Sequence, residues 1–123
     1  MRIVPEIDVP GHVTHWLTAY PEWGMYEVQP SDRFGVHKAC LNPTDERVYA
    51  GLAEIFAEVV EIFPDDFVHV GGDEVNPSWW SDNAQATAFI AAHKLGDVRG
   101  LQNYFLQRLC KILQTLGRQV IGW

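Results

Sequence analysis

In the stretch FVHVGGDEVNPSWW, residues 67–80, an apolar run meets two glycines, then two adjacent acids, Asp73 and Glu74, then a tryptophan pair. Neighbouring carboxylates repel when both are ionised, so the pair is useful when its surroundings separate the two proton affinities. If Asp73 stays ionised, its charge and partial burial disfavour ionisation of Glu74, which then holds a proton near neutral pH and serves as an acid. Cleaving a glycosidic bond asks for such an acid at the leaving oxygen and for stabilisation of the positive sugar opposite it. Side chains alternate along a regular strand, so both acids reach one pocket only if the chain bends there. Gly71 and Gly72 allow that bend. The plainer alternative is that the acids cap a following helix; Pro77 and the later cap candidate Asp82 weigh against it.

A second group lies in EIDVPGH, residues 6–12. Read alone it is a strand followed by a common Pro-Gly turn. Read with the acids, the turn carries Asp8 and His12 to a pocket rim, where a histidine can hydrogen-bond an acid and tune it. Trp79, Trp80 and Trp123 stand near strand ends. Any one of them is more often core than ligand wall, yet aromatic faces also line apolar sugar pockets. Trp16 and Trp23 suit either pocket rim or loop core.

The elements that position these residues follow from pattern. RIVPEI (2–7), FVHVG (67–71) and QVIGW (119–123) read as strands, with Pro5 removing one ladder donor from the first. A helix is expected with Asn42 as N-cap, Pro43 at its first position and Asp45 near its start. Its apolar stripe runs Val48, Leu52, Ile55, Phe56, Val59, Ile62, Phe63 and stops at Pro64. A further helix starts near Asp82. Another starts near Asp97, with Leu101, Phe105, Leu109, Ile112, Leu113 and Leu116 on one face and Gly117 just past its end. Strands alternating with helices predict an α/β fold with a parallel sheet, whose binding groups gather at the C-terminal strand ends.

The 123 residues fit one domain with no internal boundary, and 47% apolar with 20% charged residues describe a folded chain. A net charge of −7 argues against nucleic acid, whose phosphates need clustered Lys and Arg. No apolar run approaches a membrane span. Cys40 and Cys110 form neither a disulfide framework nor a metal-ligand spacing. No charged-then-apolar leader precedes the first strand. A chain that begins and ends within strands is expected to be a piece of a longer one.

PEIDVPGH, then HVGGDEV, then Trp80 six residues beyond Glu74, then a strand ending in Trp123, together resemble glycoside hydrolase family 20, the β-N-acetylhexosaminidases. The adjacent Asp-Glu after Gly-Gly is the most specific part, and the resemblance covers essentially the whole chain. It implies a partial (β/α)8 TIM barrel, roughly strands three to five with their helices. It also implies hydrolysis of terminal β-linked N-acetylglucosamine or N-acetylgalactosamine in an N-acetylhexosamine-containing oligosaccharide or glycoconjugate, without a cofactor. In that family the substrate's own 2-acetamido oxygen attacks the anomeric carbon, outside the usual two-carboxylate scheme. By position, Glu74 resembles the general acid and Asp73 the residue that orients the acetamide. His12 resembles the histidine supporting the acid, and Trp80 and Trp123 the aromatic walls. Asp8 and His69 match motif positions as supporting residues. The family's sugar-gripping Arg, the Asp partner of its histidine, and a later Tyr and Trp belong to strands outside this sequence. The fragment alone is therefore expected to be inactive. An exported, periplasmic or lysosomal setting goes with the resemblance.

Two rivals stand beside it. A metal-dependent barrel hydrolase would use Asp8, His12, His69, Asp73 and Glu74 as ligands, although no H-x-H or H-E-x-x-H spacing is present. A sugar-binding or structural remnant would keep the motif without turnover.

Overall fold

A computed structural model describes residues 1–123. Its regular elements are α1 (Thr14–Ala19), a 3₁₀ turn (Pro21–Trp23), α2 (Glu46–Ile62), β1 (Phe67–His69), α3 (Ser78–Ser81), α4 (Ala84–Ala92), α5 (Val98–Thr115) and β2 (Gln119–Ile121). The protein is a helix-rich α/β unit with two regular strands.

β1 and β2 pair in parallel, Phe67 opposite Gln119 and His69 opposite Ile121. Pairing continues past both strands, since Val70 donates its N–H to the Ile121 carbonyl and Trp123 donates to that of Gly71. The predicted first strand forms only a parallel bridge, Glu6 with His69, on the other edge of β1. Its ladder is short and slips by one residue: His69 N–H to Pro5 O and Ile7 N–H to His69 O, then Val9 N–H to Val70 O in place of Gly71 O, each at 2.9–3.0 Å. Pro5 contributes only its carbonyl, so the N–H it lacks is not missed. β1 is thus flanked on both sides by parallel chain, which explains the β-branched, apolar character of Val68 and Val70, both buried.

Helix α2 departs from expectation at its start. The Asn42 side-chain oxygen takes the Thr44 N–H at 3.0 Å and its hydroxyl at 2.7 Å, holding residues 42–44 in a turn. The cap is Asp45, which accepts the Arg47 N–H at 2.9 Å. Of the expected apolar stripe Val48, Leu52 and Phe56 are buried, joined by Tyr49, which the stripe did not include, while Ile62 near its end is 70% exposed. Likewise α4 is capped by Asn83, while Asp82 closes α3. α5 matches its reading: Asp97 accepts the Arg99 and Gly100 N–H groups, and Leu101, Phe105, Leu109 and Leu113 are buried. At its end Gly117 (φ +73°) donates to the Gln114 carbonyl and Arg118 to that of Leu113, a paired arrangement that satisfies the last carbonyls.

The main core is a 15-residue cluster in which α2, α5 and the long loop meet the sheet. Trp23, only 8% exposed, belongs to it and lies against Gly51 of α2, so it is loop core. A smaller cluster joins Cys40, Trp79, Trp80, Ala86, Ile90 and Leu101. Both cysteines are free, and burial pushes the Cys40 thiol up to about 12. No helix is long and apolar enough to cross a membrane.

Candidate active site

Past β1 the backbone turns left-handed at Gly71 (φ +65°), Gly72 (φ +95°) and Glu74 (φ +54°). This breaks the strict alternation of a strand, and Asp73 and Glu74 both come to lie beside residues 8–12. That segment is bent too: the Val9–Pro10 bond is cis and His12 sits at φ +54°. Val9 and Val13, both fully buried, anchor it on either side of the turn. Non-glycine residues in this region cost about 1–3 kcal/mol each and persist where their surroundings hold them. Here two of them, His12 and Glu74, touch.

His12 Nε2 stands 3.1 Å from Glu74 Oε2 and 3.7 Å from Asp8 Oδ2. The Gly72 N–H donates to Asp8 Oδ1 at 2.9 Å, tying the first segment to the bend after β1. One atom of Asp73, Oδ1, is buried without a hydrogen-bond partner in the protein. Burial, foremost, raises the Asp8 pKa; the Gly72 N–H opposes it, the Asp73 charge adds to it and His12 opposes it. The Asp73 and Glu74 side chains do not cap α3, whose first turn is served by Asn76.

A neighbouring group forms along the sheet. The Trp123 indole N–H donates to Glu6 Oε1 at 3.0 Å, and its ring lies 4.7 Å, centroid to centroid, from that of His69. His69 Nδ1 accepts the Gly71 N–H at 3.1 Å. A nitrogen that accepts carries no proton, so its 3.4 Å approach to Glu6 is a contact and not a hydrogen bond. Sequence reading missed Glu6, although it stands two residues before Asp8, and that spacing puts both on one face of extended chain.

The structure therefore gathers Asp8, His12, Asp73 and Glu74 into one cluster, and sets His69 and Trp123 beside the same bend. Trp80 departs from its expected place. It is 1% exposed, its ring sealed in the smaller core, with its indole N–H on the Leu41 carbonyl at 3.3 Å. An indole enclosed in this way offers no face to a sugar, and Trp80 is a core residue. Trp123, by contrast, is 78% exposed.

Asp8, His12 and Asp73 each offer a ligand atom, all within 4.8 Å of one another. That donor set suits a divalent ion in type. However, the His12 nitrogen nearest these acids is already turned to Glu74.

Acids and a histidine converge here at the C-terminal ends of parallel strands in an α/β protein, the position in which such folds gather their binding groups. The profile for glycosyl hydrolase family 20, catalytic domain, matches residues 1–123, and the chain belongs to that family. It is similar to beta-hexosaminidase subunit beta of Homo sapiens (33% identity, all of this chain, 22% of the relative). It is also similar to the beta-hexosaminidase of Vibrio furnissii (32% identity, all of this chain, 21% of the relative). Among solved structures, a chitobiase of Flavobacterium johnsoniae superposes with a TM-score of 0.91 at 39% identity, over all of this chain and 19% of that one. The chain spans about a fifth of the length of these relatives.

Proposed function

We propose that residues 1–123 supply part of the active site of a β-N-acetylhexosaminidase, forming roughly strands three to five of a single (β/α)8 barrel with no internal domain boundary. The observation that carries this reading is the cluster itself: His12 within 3.1 Å of Glu74, with Asp8 and Asp73 against it at the strand ends. The matching relatives are named beta-hexosaminidases. An exo beta-N-acetylglucosaminidase of Vibrio harveyi, 28% identical with a TM-score of 0.84, was solved with N-acetylglucosamine.

In this reading Glu74 gives its proton to the glycosidic oxygen as the anomeric C–O bond breaks. The substrate's acetamide oxygen forms the new bond to the anomeric carbon. Asp73 accepts from the acetamide N–H and offsets the positive charge that develops there. Glu74 then takes a proton from water, which opens the intermediate and gives net retention. His12 holds Glu74 through Nε2, with the Asp8 carboxylate nearby at 3.7 Å from the same nitrogen. Trp123 offers an exposed face to the sugar and is steadied by His69 and Glu6. The reaction uses no cofactor. The substrate is a terminal β-linked N-acetylhexosamine, gripped in part by an arginine and aromatic residues from other strands, so residues 1–123 alone are inactive.

The test is hydrolysis of p-nitrophenyl N-acetyl-β-glucosaminide by the full-length polypeptide, with and without a chelator. Turnover that survives chelation and collapses in Glu74→Gln supports the reading. Binding without turnover returns the remnant, and loss on chelation the metal hydrolase.

A further inference from the structure

Gly71 and Gly72 carry the chain from β1 into Asp73 and Glu74, and two successive glycines put little steric limit on its path. A Cβ at position 72 would meet only Leu106, at 3.9 Å, so packing does not dictate the conformation there. Hydrogen bonds fix it, one peptide plane at a time. The 71–72 peptide is pinned at both ends: its carbonyl accepts the Trp123 N–H and its N–H donates to Asp8 Oδ1, each at 2.9 Å. The 72–73 peptide, which leads straight into Asp73, is held by one bond. The Gln102 side-chain amide donates to the Gly72 carbonyl at 3.1 Å, whereas no protein group accepts the Asp73 N–H. Gln102 stands on the second turn of α5 between Leu101 and Phe105, both fully buried, one in each core. The helix is therefore a firm mount, and Gln102 reaches from it to the strand end.

We infer that Gln102 is a positioning residue: by holding the Gly72 carbonyl it sets the tilt of the peptide that carries Asp73, and so the aim of the Asp73 carboxylate. The inference rests on the hydrolase reading above, since that reading is what gives the aim of Asp73 its consequence. Gln102 touches neither substrate nor reacting atoms in that scheme and acts through the backbone alone. With the 71–72 plane pinned, the two torsions of Gly72 are the freedom that remains, and a glycine turns about both at little cost. The bond from Gln102 removes that freedom. A carboxylate displaced by about an ångström still meets the substrate but no longer aligns the acetamide with the anomeric carbon, so turnover suffers more than binding.

The experiment uses the full-length polypeptide with p-nitrophenyl and methyl N-acetyl-β-glucosaminide. Gln102→Met keeps the length and helix propensity of the side chain and removes the donor. Gln102→Lys restores a donor of similar reach, and Asn103→Ala, at the exposed neighbouring position of α5, is the control. In Gln102→Met, kcat and kcat/KM should fall together about three- to tenfold, the size of one lost hydrogen bond, with KM nearly unchanged. The loss should be equal for both glycosides, because the acetamide acts in each. Gln102→Lys should recover most of it, and Asn103→Ala should match the unmodified protein. Unchanged kcat in Gln102→Met, or a loss that Gln102→Lys does not recover, overturns the inference. So does a loss confined to the methyl glycoside, whose poorer leaving group would trace it to Glu74 and not to Asp73. A lowered melting temperature with intact kcat would make Gln102 a mere tie between helix and sheet, and overturns it as well. Absence of turnover in the unmodified protein would instead refute the hydrolase reading.

Discussion

Gly71 lies directly against the Asp8 carboxyl group: a Cβ at position 71 would stand 1.9 Å from Asp8 Oδ1. The backbone there is also left-handed, at φ +65°. Gly71→Ala therefore meets two separate penalties, a clash with Asp8 and a disfavoured φ. A loss of about 2–4 kcal/mol in a denaturant titration is expected, with activity lost alongside. Adding Asp8→Gly should recover the part due to the clash and leave the part due to φ, whereas Asp8→Ala should recover less, because the Cβ of residue 8 would itself stand 2.7 Å away. No recovery would show that the close approach is not what position 71 protects.

Glu74→Gln keeps the shape of the side chain and removes its proton donor. A fall in kcat of about 10²–10⁴-fold is expected with an almost unchanged melting temperature. Unchanged kinetics would remove Glu74 from its role. His12→Ala should lower kcat less, because it frees the acid to rotate without deleting it.

The two tryptophans should separate cleanly. Trp80→Phe removes buried volume and the bond to the Leu41 carbonyl, so it should destabilise by about 1–3 kcal/mol while leaving KM near its original value. Trp123→Ala should do the reverse, raising KM severalfold with little effect on the melt, since the ring is largely exposed. A raised KM in Trp80→Phe without lost stability would restore it to the sugar pocket.

The stability of the fold should carry an acid signature from Asp65. Its carboxylate takes two bonds from Arg2 at 2.8 Å, which foremost hold its pKa down at about 2, aided by the Phe67 N–H. A depressed folded value means that the unfolded chain binds the proton more readily. The pair therefore stabilises above the ordinary carboxylate range, and that contribution is lost as pH falls from there through about 2. In Arg2→Met the acid limb of a stability–pH curve should flatten. An identical limb would show that Arg2 does not hold the first segment to the base of β1.

Sequence alone determined the alternation of strands and helices, the α5 cap and terminus, and the pairing of Gly-Gly with Asp-Glu at a strand end. These are local matters: apolar period, capping oxygens and a glycine's access to positive φ are written within a few residues of where they act. The start of α2 was misread for a local reason too, since Asn42 and Asp45 are both good caps and only the completed Thr44 turn chooses between them. Distance in the chain was the harder limit. That His12 would meet Glu74, that Glu6 would hold the Trp123 indole, and that Trp80 would be sealed while Trp123 stayed open depend on which segments lie side by side. Parallel pairing on the two edges of β1 sets Glu6 and Ile121 on either side of His69, with Trp123 two residues further along, although more than fifty residues separate 6 from 69 and 69 from 123; the sealing of Trp80 comes instead from the smaller core formed with Cys40, Ala86, Ile90 and Leu101.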